Sequence, residues 1–267
     1  MRKYILGLSG TMAIIVVLTI SSWKSTETTV SVNKPIAGIE LPEALFNSYI
    51  RDVYVTAQLA NRGLSLSVFE KAVTGFYNLK NSGKVADDKS ILTIADFDQN
   101  STKKRLWIID LDKKELLLNT WVAHGQNSGA DMASKFSNVN NSIQSSVGFY
   151  VTGEIYNGQH GRSLRLDGMD EGFNSNARMR SIVVHGADYV SQGTINALGR
   201  LGRSQGCPAV ATALAGTVIN TIGGKTVLFI NSSDEAYSSK YLNQREAALL
   251  ATNSLENKKT LDTASRS

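Results

Sequence analysis

Cysteine is nearly absent from this sequence, since Cys207 is the only one in 267 residues. A single thiol excludes a disulfide within the chain. No cysteine lies directly after the apolar run near the N-terminus, and this excludes a lipid anchor attached to a thiol there. An odd cysteine in an oxidising compartment indicates bonding to another molecule or a reactive thiol, whereas free cysteines generally behave as small buried hydrophobic residues. Both interpretations of Cys207 stand until its neighbours are considered.

Dense basic clusters, repeats and phosphate-binding loops are also missing. The net charge is +5, but no Lys and Arg cluster is interleaved with aromatic residues, so nucleic-acid binding is not expected. No internal repeat has the period of a solenoid or a propeller. The glycines around Gly199 and Gly206 lack the Lys-Ser/Thr ending of a phosphate-binding loop. With 42% apolar residues, the chain is long enough to bury one substantial core.

Residues 1–23 have the layout of a signal peptide. Arg2 and Lys3 precede a mostly apolar run at 4–20. The run is near the lower limit for crossing a bilayer and its flank is a weak cleavage site, so an uncleaved membrane anchor is the alternative. The polar residues 24–41 are interpreted as a linker. We therefore expect an exported protein of the periplasm or cell envelope, anchored to the inner membrane if the leader is not cleaved.

Residues 42–84 are predicted to form a helical pair. The first helix extends from Pro42 to about residue 60. In the second, Ser67 and Glu70 fit a capping box, apolar residues follow at helical spacing, and Ser82-Gly83 ends the helix.

Residues 88–232 change to the composition of strands. Asp112-Lys113-Lys114 supplies a turn between two of them, and one helix is predicted at 212–222. The fold class is therefore mainly β with some α: an antiparallel β-sandwich with a small N-terminal helical pair and one helix after Cys207. Residues 233–267 are interpreted as a polar C-terminal tail with at most one helix. The strands are predicted at 91–97, 105–111, 115–124, 147–156, 163–166, 181–185 and 225–230.

The surroundings of Cys207 favour a nucleophile. A reactive thiol needs a base or a cation nearby, together with backbone donors for the oxyanion that it creates. His185 ends the apolar strand SIVVH, which would project its imidazole into a cleft. Gly206 lets the backbone approach a substrate carbonyl, and Pro208 has no N–H, so the donors must come from Cys207 and the residues before it. Arg203 and Ser204 would line the same loop.

Two stretches carry a resemblance to a known family. "VVHGADYVS" followed by "GRSQGCPAV" resembles the L,D-transpeptidase catalytic domain of the YkuD type, in the variant branch whose cysteine motif reads Ser-x-Gly-Cys-Pro. "KRLWIIDLD" and the segment from "SVGFYVTGEIY" to "ARMRS" are also similar to that branch. The resemblance covers about residues 43–231.

The resemblance implies the roles of the site residues and the reaction. Cys207 would be the nucleophile and His185 its base, with Gly186, Ser204 and Gly206 supporting the site and no metal or cofactor. The substrate would be peptidoglycan: the thiolate attacks the carbonyl on the L-centre of the diamino acid in a tetrapeptide stem and expels D-alanine. A second stem's amine then forms a crosslink, or water makes the enzyme an L,D-carboxypeptidase.

The chain departs from the commoner branch at two positions. That branch has a histidine where this chain has Gln205, and an arginine or asparagine where it has Ala209. These differences leave the cysteine and histidine in place but affect substrate anchoring. Arg203, Arg178 or Arg180 would then replace the missing cation.

Other interpretations remain open from the sequence. His124 and His160, each before a glycine, would form a zinc quartet with His185 and Cys207, although no close ligand spacing supports one. The sequence favours instead two loop histidines that lie on the rim of the cleft or are simply solvated, and His124, at a strand end, would then contact substrate. A sortase needs an arginine soon after its cysteine, whereas the next arginine after Cys207 is Arg245. Papain-like enzymes have the cysteine before the histidine, and this chain has the opposite order. Neither enzyme class is therefore favoured. A non-catalytic envelope protein that binds stem peptides is the remaining alternative, and the oligomeric state is not predicted.

Overall fold

The computed structural model describes residues 42–86 and 88–252. Helices and strands alternate in blocks, with two helices at the front, a run of six strands, and then mixed elements. In order they are α1 (Pro42–Thr56), α2 (Leu66–Asn81), β1 (Ile91–Asp96), β2 (Leu106–Asp110), β3 (Glu115–Thr120), β4 (Gly148–Gly158), β5 (Gly161–Gly168), β6 (Val183–Ala187), α3 (Gln192–Leu198), β7 (Ala209–Ala211), α4 (Thr212–Ile222), β8 (Val227–Asn231) and α5 (244–252).

The eight strands of the described residues form one sheet in the order β3-β2-β1-β8-β4-β5-β6-β7. Five neighbouring pairs are antiparallel, whereas β1 with β8 and β6 with β7 run parallel. The two edges meet, because Ala123, just after β3, donates its N–H to the carbonyl of Ala209 in β7 at 2.8 Å. The sheet is therefore nearly closed. The expectation of a mainly β fold with a front helical pair and a helix after Cys207 is confirmed.

Hydrophobic side chains cover both faces of the sheet. On one face, α1, α2 and α5 pack against the central strands, with Trp107 and Phe149 in this layer. On the other face, α4 packs against a second set that includes Ile108 and Tyr150. Trp107 is followed by Ile108, and Phe149 by Tyr150, so neighbouring residues face opposite sides of the sheet. This is expected because successive side chains of a strand point to opposite faces. Gly75 allows α2 to lie close to the sheet, because a Cβ there would be 2.0 Å from the Phe149 ring.

The N-cap prediction for α2 was wrong by two residues. The cap is Ser65, whose backbone is extended and whose Oγ accepts a hydrogen bond from the N–H of Val68 at 3.3 Å. Ser67 lies inside the first turn. Because the helix starts at Leu66, the Leu66 side chain packs against the core beside α2. Tertiary packing thus decides between Ser65 and Ser67, which cap helices equally well.

Helix α3 and strand β7 were not predicted from the sequence. Helix α3 has end signals that could have revealed it: Ser191 caps its N-terminus through a 3.2 Å bond from the N–H of Thr194, and Gly199 follows it with φ +69°. Strand β7 has only three residues and gains its strand conformation from pairing with β6. A strand that short has no periodicity to detect.

Residues 233–252 pack onto the sheet through Asp170. Its Oδ2 accepts from the N–H of Phe149 at 2.7 Å and from the Tyr237 hydroxyl at 2.8 Å, and its Oδ1 accepts from Ser239 Oγ at 2.6 Å. The same segment contributes apolar side chains to the core: Tyr241, Ala247, Ala248 and Ala251.

The leader and the linker predicted at 1–41 lie outside the described residues. Across 42–86 and 88–252, none of the helices combines the length and the hydrophobicity that a membrane span requires.

Candidate active site

Strands β6 and β7 bring the predicted nucleophile and base to one cleft. The strands run parallel, and His185 pairs with Ala209, two residues after Cys207. The side chains of His185 and Cys207 both line a cleft of about 560 Å³. Residues that are far apart in sequence therefore share one cleft because two short strands lie side by side.

The loop before Cys207 is fastened by two serine hydroxyls. Ser204 Oγ donates to the carbonyl of Cys207 at 2.6 Å and accepts from the N–H of Gly206 at 3.0 Å. Ser145 Oγ donates to the carbonyl of Gly206 at 3.1 Å. Gly206 has φ +123°, and a Cβ there would lie 2.7 Å from the carbonyl oxygen of Gln144. This conformation and this contact require glycine directly before the cysteine.

The Cys207 side chain is partly exposed, and its Sγ lies 3.7 Å from the carbonyl oxygen of Ser181. Burial by the surrounding protein atoms raises the pKa of the thiol, while a backbone hydrogen bond from Val183 and the charge of Arg180 oppose that rise. The net direction is upward, so the thiol is protonated at neutral pH. It needs a base to become a nucleophile.

His185 is buried, and its Nδ1 lies 2.9 Å from the carbonyl oxygen of Gly186. Because a carbonyl oxygen only accepts, Nδ1 carries the hydrogen and Nε2 keeps its lone pair. Within the described part of the chain, no hydrogen bond occupies Nε2. Burial lowers the pKa of His185, a shift that the Gly186 hydrogen bond opposes and the neighbouring His160 increases. The ring is therefore neutral near pH 7, the form that accepts a proton.

The cysteine loop also offers backbone donors. The N–H of Gly206 is occupied by Ser204 Oγ, and the N–H of Ser204 donates to the carbonyl of His124 at 2.9 Å. The N–H groups of Gln205 and Cys207 have no partner among the residues that the structure describes. These two groups are available to an oxyanion, whereas Gly206 contributes through its conformation.

Arg180 lies in the cleft wall and holds a loop in place. Its Nη2 donates to Ser142 Oγ at 3.1 Å and to the carbonyl of Gln144 at 2.6 Å, and its Nη1 donates to Ser146 Oγ at 3.2 Å. The guanidinium therefore joins the loop between β3 and β4 to the segment before β6, close enough to influence the Cys207 thiol electrostatically.

The other two arginines singled out from the sequence differ in position. Arg203 lines the cleft and donates to two carbonyl groups in the segment 126–129, at 2.8 and 3.1 Å. Arg178 does not line it, and forms ion pairs with Glu154 and Asp167 instead. The structure brings Arg180 and Arg203 to the cleft and leaves Arg178 outside it.

A family model described as the L,D-transpeptidase catalytic domain matches residues 60–231, which is more than half of the chain. The chain belongs to the L,D-transpeptidase catalytic domain family. The matched region contains His185, Cys207 and every strand of the sheet. The family resemblance predicted from the sequence motifs is confirmed.

Solved structures include distant relatives of this L,D-transpeptidase domain. The helical cell shape determining protein Pgp2 from Campylobacter jejuni is 16% identical, with a TM-score of 0.37 over 68% of this chain and 64% of that one. This chain thus covers less than two thirds of Pgp2. An L,D-transpeptidase from Mycobacterium smegmatis is 12% identical, with a TM-score of 0.32 over 54% of this chain and 59% of that one. A search of curated protein sequences found no match.

His124 is not part of the cleft in this L,D-transpeptidase domain. Its ring is buried, with Nδ1 2.7 Å from Arg105 Nη2 and Nε2 3.4 Å from the carbonyl oxygen of Gly129. Burial and the charge of Arg105 lower the pKa of His124 to about 4. The sequence interpretation of His124 as a substrate contact therefore has no support from its position. Its backbone carbonyl instead anchors the cysteine loop through Ser204.

The zinc quartet considered from the sequence is wrong. Within 42–86 and 88–252, no three His, Cys, Asp or Glu side chains form a group that could hold a metal ion. The ring of His124 is bonded to a cation, Arg105, and His160 stacks on His185 instead of converging with it on a common point.

Most of the cleft wall could not be predicted from the sequence. It comes from the long loop between β3 and β4 and from the β4–β5 hairpin, which lie far from the cysteine motif. His160 had one usable signal, a histidine before a glycine, which placed it on the cleft rim, where the structure has it, but gave it no chemical role. The residues that sequence reasoning missed include Gln126, Asn140, Asn141, Ile143, Tyr156, Gln159 and Tyr189.

We expect Arg180→Gln to slow alkylation of Cys207 at pH 7 by roughly threefold to tenfold, since a tenfold change corresponds to one unit of thiol pKa. The charge of Arg180 favours the thiolate, so its loss raises the pKa of Cys207 further and moves the alkylation profile to higher pH. The rate is measured with iodoacetamide from pH 6 to 10 by intact mass spectrometry. Because the chain has a single cysteine, one adduct per molecule corresponds to complete reaction.

Arg178→Gln is the matched control, because Arg178 lies two residues away but outside the cleft. Its alkylation profile should match the wild type. Arg180→Lys keeps the charge and should lie close to the wild type even if the loop is loosened. An unchanged profile in Arg180→Gln would show that this cation does not act on the sulfur.

Proposed function

We propose that this protein is a cysteine-dependent peptidoglycan L,D-transpeptidase that uses Cys207 as nucleophile and His185 as base. The observation that carries the proposal is the shared cleft, in which a partly exposed thiol and a neutral imidazole lie together. Membership of the L,D-transpeptidase catalytic domain family supports the same reaction class.

The first half-reaction begins with a neutral pair. His185 Nε2 accepts the thiol proton as the sulfur attacks the carbonyl on the L-centre of the diamino acid in a tetrapeptide stem. A carbon–sulfur bond forms and the carbonyl oxygen becomes an oxyanion. The bond to the D-alanine nitrogen then breaks, and the proton on His185 passes to the leaving amine. The products are a thioester on Cys207 and free D-alanine.

Backbone groups of the cysteine loop stabilise the oxyanion in this proposal. The N–H groups of Cys207 and Gln205 are the donors that the loop leaves unoccupied among the described residues. Ser204 and Gly206 hold the loop in the conformation that presents these donors. The hydrogen bond from Nδ1 to the carbonyl of Gly186 stabilises the imidazolium that forms during attack.

The charges of the cleft fit an anionic peptide. Arg180 and Arg203 line it, and no Asp or Glu is among the described residues that do so. A volume of about 560 Å³ lies within the range for sites that enclose a ligand of a few residues. Stem peptides carry several carboxylates, so these two arginines replace the cation that the commoner branch has after its cysteine.

The second half-reaction completes the proposal. An amine from another stem attacks the thioester, and His185 accepts the amine proton. The carbon–sulfur bond then breaks, the sulfur takes that proton from His185, and a new peptide bond remains. The protein would act in the cell envelope, where this substrate lies, with residues 1–23 as its export signal or anchor.

The test is mass spectrometry of the products formed from purified tetrapeptide muropeptides. A crosslinked dimer with release of D-alanine is expected from the wild type, and no product from Cys207→Ala. A tripeptide as the only product would make water the acceptor and the protein an L,D-carboxypeptidase. Binding of the muropeptide without any product would replace the proposal with a stem-peptide-binding protein.

A further inference from the structure

His160 lies against His185. Their ring centroids are 4.2 Å apart and their planes differ by 22°, which is a stacked arrangement. Both rings line the cleft with Cys207. The chain has only three histidines, and the third, His124, is buried elsewhere with Arg105.

A hairpin carries His160 to this position. The β4–β5 ladder ends with Gly158 opposite Gly161, so Gln159 and His160 form its two-residue turn. Strand β5 continues from the turn and pairs Ser163 with His185 in β6. The outer part of the hairpin is exposed. His160 therefore reaches His185 from the solvent-exposed tip of a hairpin, and the strand that follows this tip pairs directly with His185.

We propose that His160 is a positioning residue for the base of the acyl-transfer reaction, a role that rests on the proposed function of Cys207 and His185. Its ring covers one face of the His185 imidazole and limits rotation of that ring. The hydrogen bond from Nδ1 to the carbonyl of Gly186 fixes one edge, and the stacked ring fixes the plane. Together they hold Nε2 in one orientation.

The stack also couples the protonation of the two rings. The ring centroids are 4.2 Å apart, so a positive charge on one ring disfavours protonation of the other. Burial and, after it, the neighbouring His160 lower the pKa of His185, which keeps the His185 ring neutral to lower pH. The other ionisable groups that line the cleft are Arg180, Arg203, Cys207, Tyr156 and Tyr189.

The experiment is a histidine ring titration by NMR in three proteins. In His160→Phe the aromatic face remains but its charge is gone, so His185 should titrate at higher pH than in the wild type. In His160→Ala both the charge and the cover are lost, so the midpoint should rise at least as far. His124 serves as an internal reference whose signal should be the same in all three, because it lies with Arg105 away from the stack.

Asn157→Ala is the matched control. Asn157 belongs to the same hairpin but does not line the cleft, so its loss should leave the His185 midpoint unchanged. Equal His185 midpoints in the wild type, His160→Phe and His160→Ala would overturn the coupling. This readout needs no turnover, so its failure is distinguishable from failure of the proposed function.

A rate measurement tests the positioning role itself. We expect His160→Ala to lower the rate constant of Cys207 acylation by a stem tetrapeptide by about tenfold, as for a misplaced catalytic group, with little change in substrate affinity. His160→Phe restores the aromatic cover and should recover most of the rate at neutral pH. Equal rates in His160→Ala and the wild type would overturn the positioning role.

Discussion

Cys207→Ala is expected to reduce formation of both the acyl-enzyme and the crosslinked product to background. The change removes the sulfur that forms the thioester, and the chain has no second thiol to replace it. Because the Cys207 side chain is only partly buried and alanine keeps its Cβ at the edge of the core, the fold should survive. Product analysis with tetrapeptide muropeptides and a thermal unfolding curve measure the two effects separately.

A carbapenem provides a second readout for the same residue. If it acylates Cys207, the wild type gains one adduct mass, while Cys207→Ala and Cys207→Ser gain none. Cys207→Ser is the closer control because it keeps a hydroxyl in place of the thiol. Crosslinking by Cys207→Ala at the wild-type rate would remove the nucleophile assignment.

His185→Ala should slow acylation by at least roughly a hundredfold near neutral pH, the size typical for loss of a general base. The effect should depend on pH. In the wild type, burial holds the pKa of His185 below its usual value, so the base is neutral and the rate is nearly constant from pH 7 to 8. Without the base, only thiolate reacts, and burial holds the pKa of Cys207 above its usual value. The rate of the variant should therefore rise with pH through the alkaline range.

Single-turnover acylation at several pH values measures this difference. Added imidazole should restore part of the rate of His185→Ala, because the deleted ring leaves space in a cleft open to solvent. A variant whose rate is unchanged and equally flat with pH would assign the base role to another group.

Seven of the eight strands in the described residues were predictable because their chemistry is local. Segments such as ILTIADF and KTVLFI are rich in β-branched residues, and β1 and β8 occur there. The apolar residues before His185 and the glycine before Cys207 pointed to the cleft for the same reason, although His185 lies in the middle of β6 and not at its end as predicted. Each of these signals lies within about ten consecutive residues.

The remaining features depend on contacts between distant segments. Arg178 and Arg180 are two residues apart, and the sequence does not indicate which one faces the cleft. Arg180 is held at the cleft because a loop 34 to 38 residues earlier in the chain supplies carbonyl and hydroxyl acceptors for its guanidinium group. The stack of His160 on His185 likewise depends on the register of β5 with β6. Such contacts have no periodicity or local motif.

The bridge between Ala123 and Ala209 has a consequence for folding. The cysteine loop is held between the first and last strands in spatial order, so it acquires its shape only when these distant segments meet. Bringing together segments so far apart in sequence costs chain entropy, which slows folding. In the proposed mechanism, the thiol therefore becomes a nucleophile only once the sheet has closed.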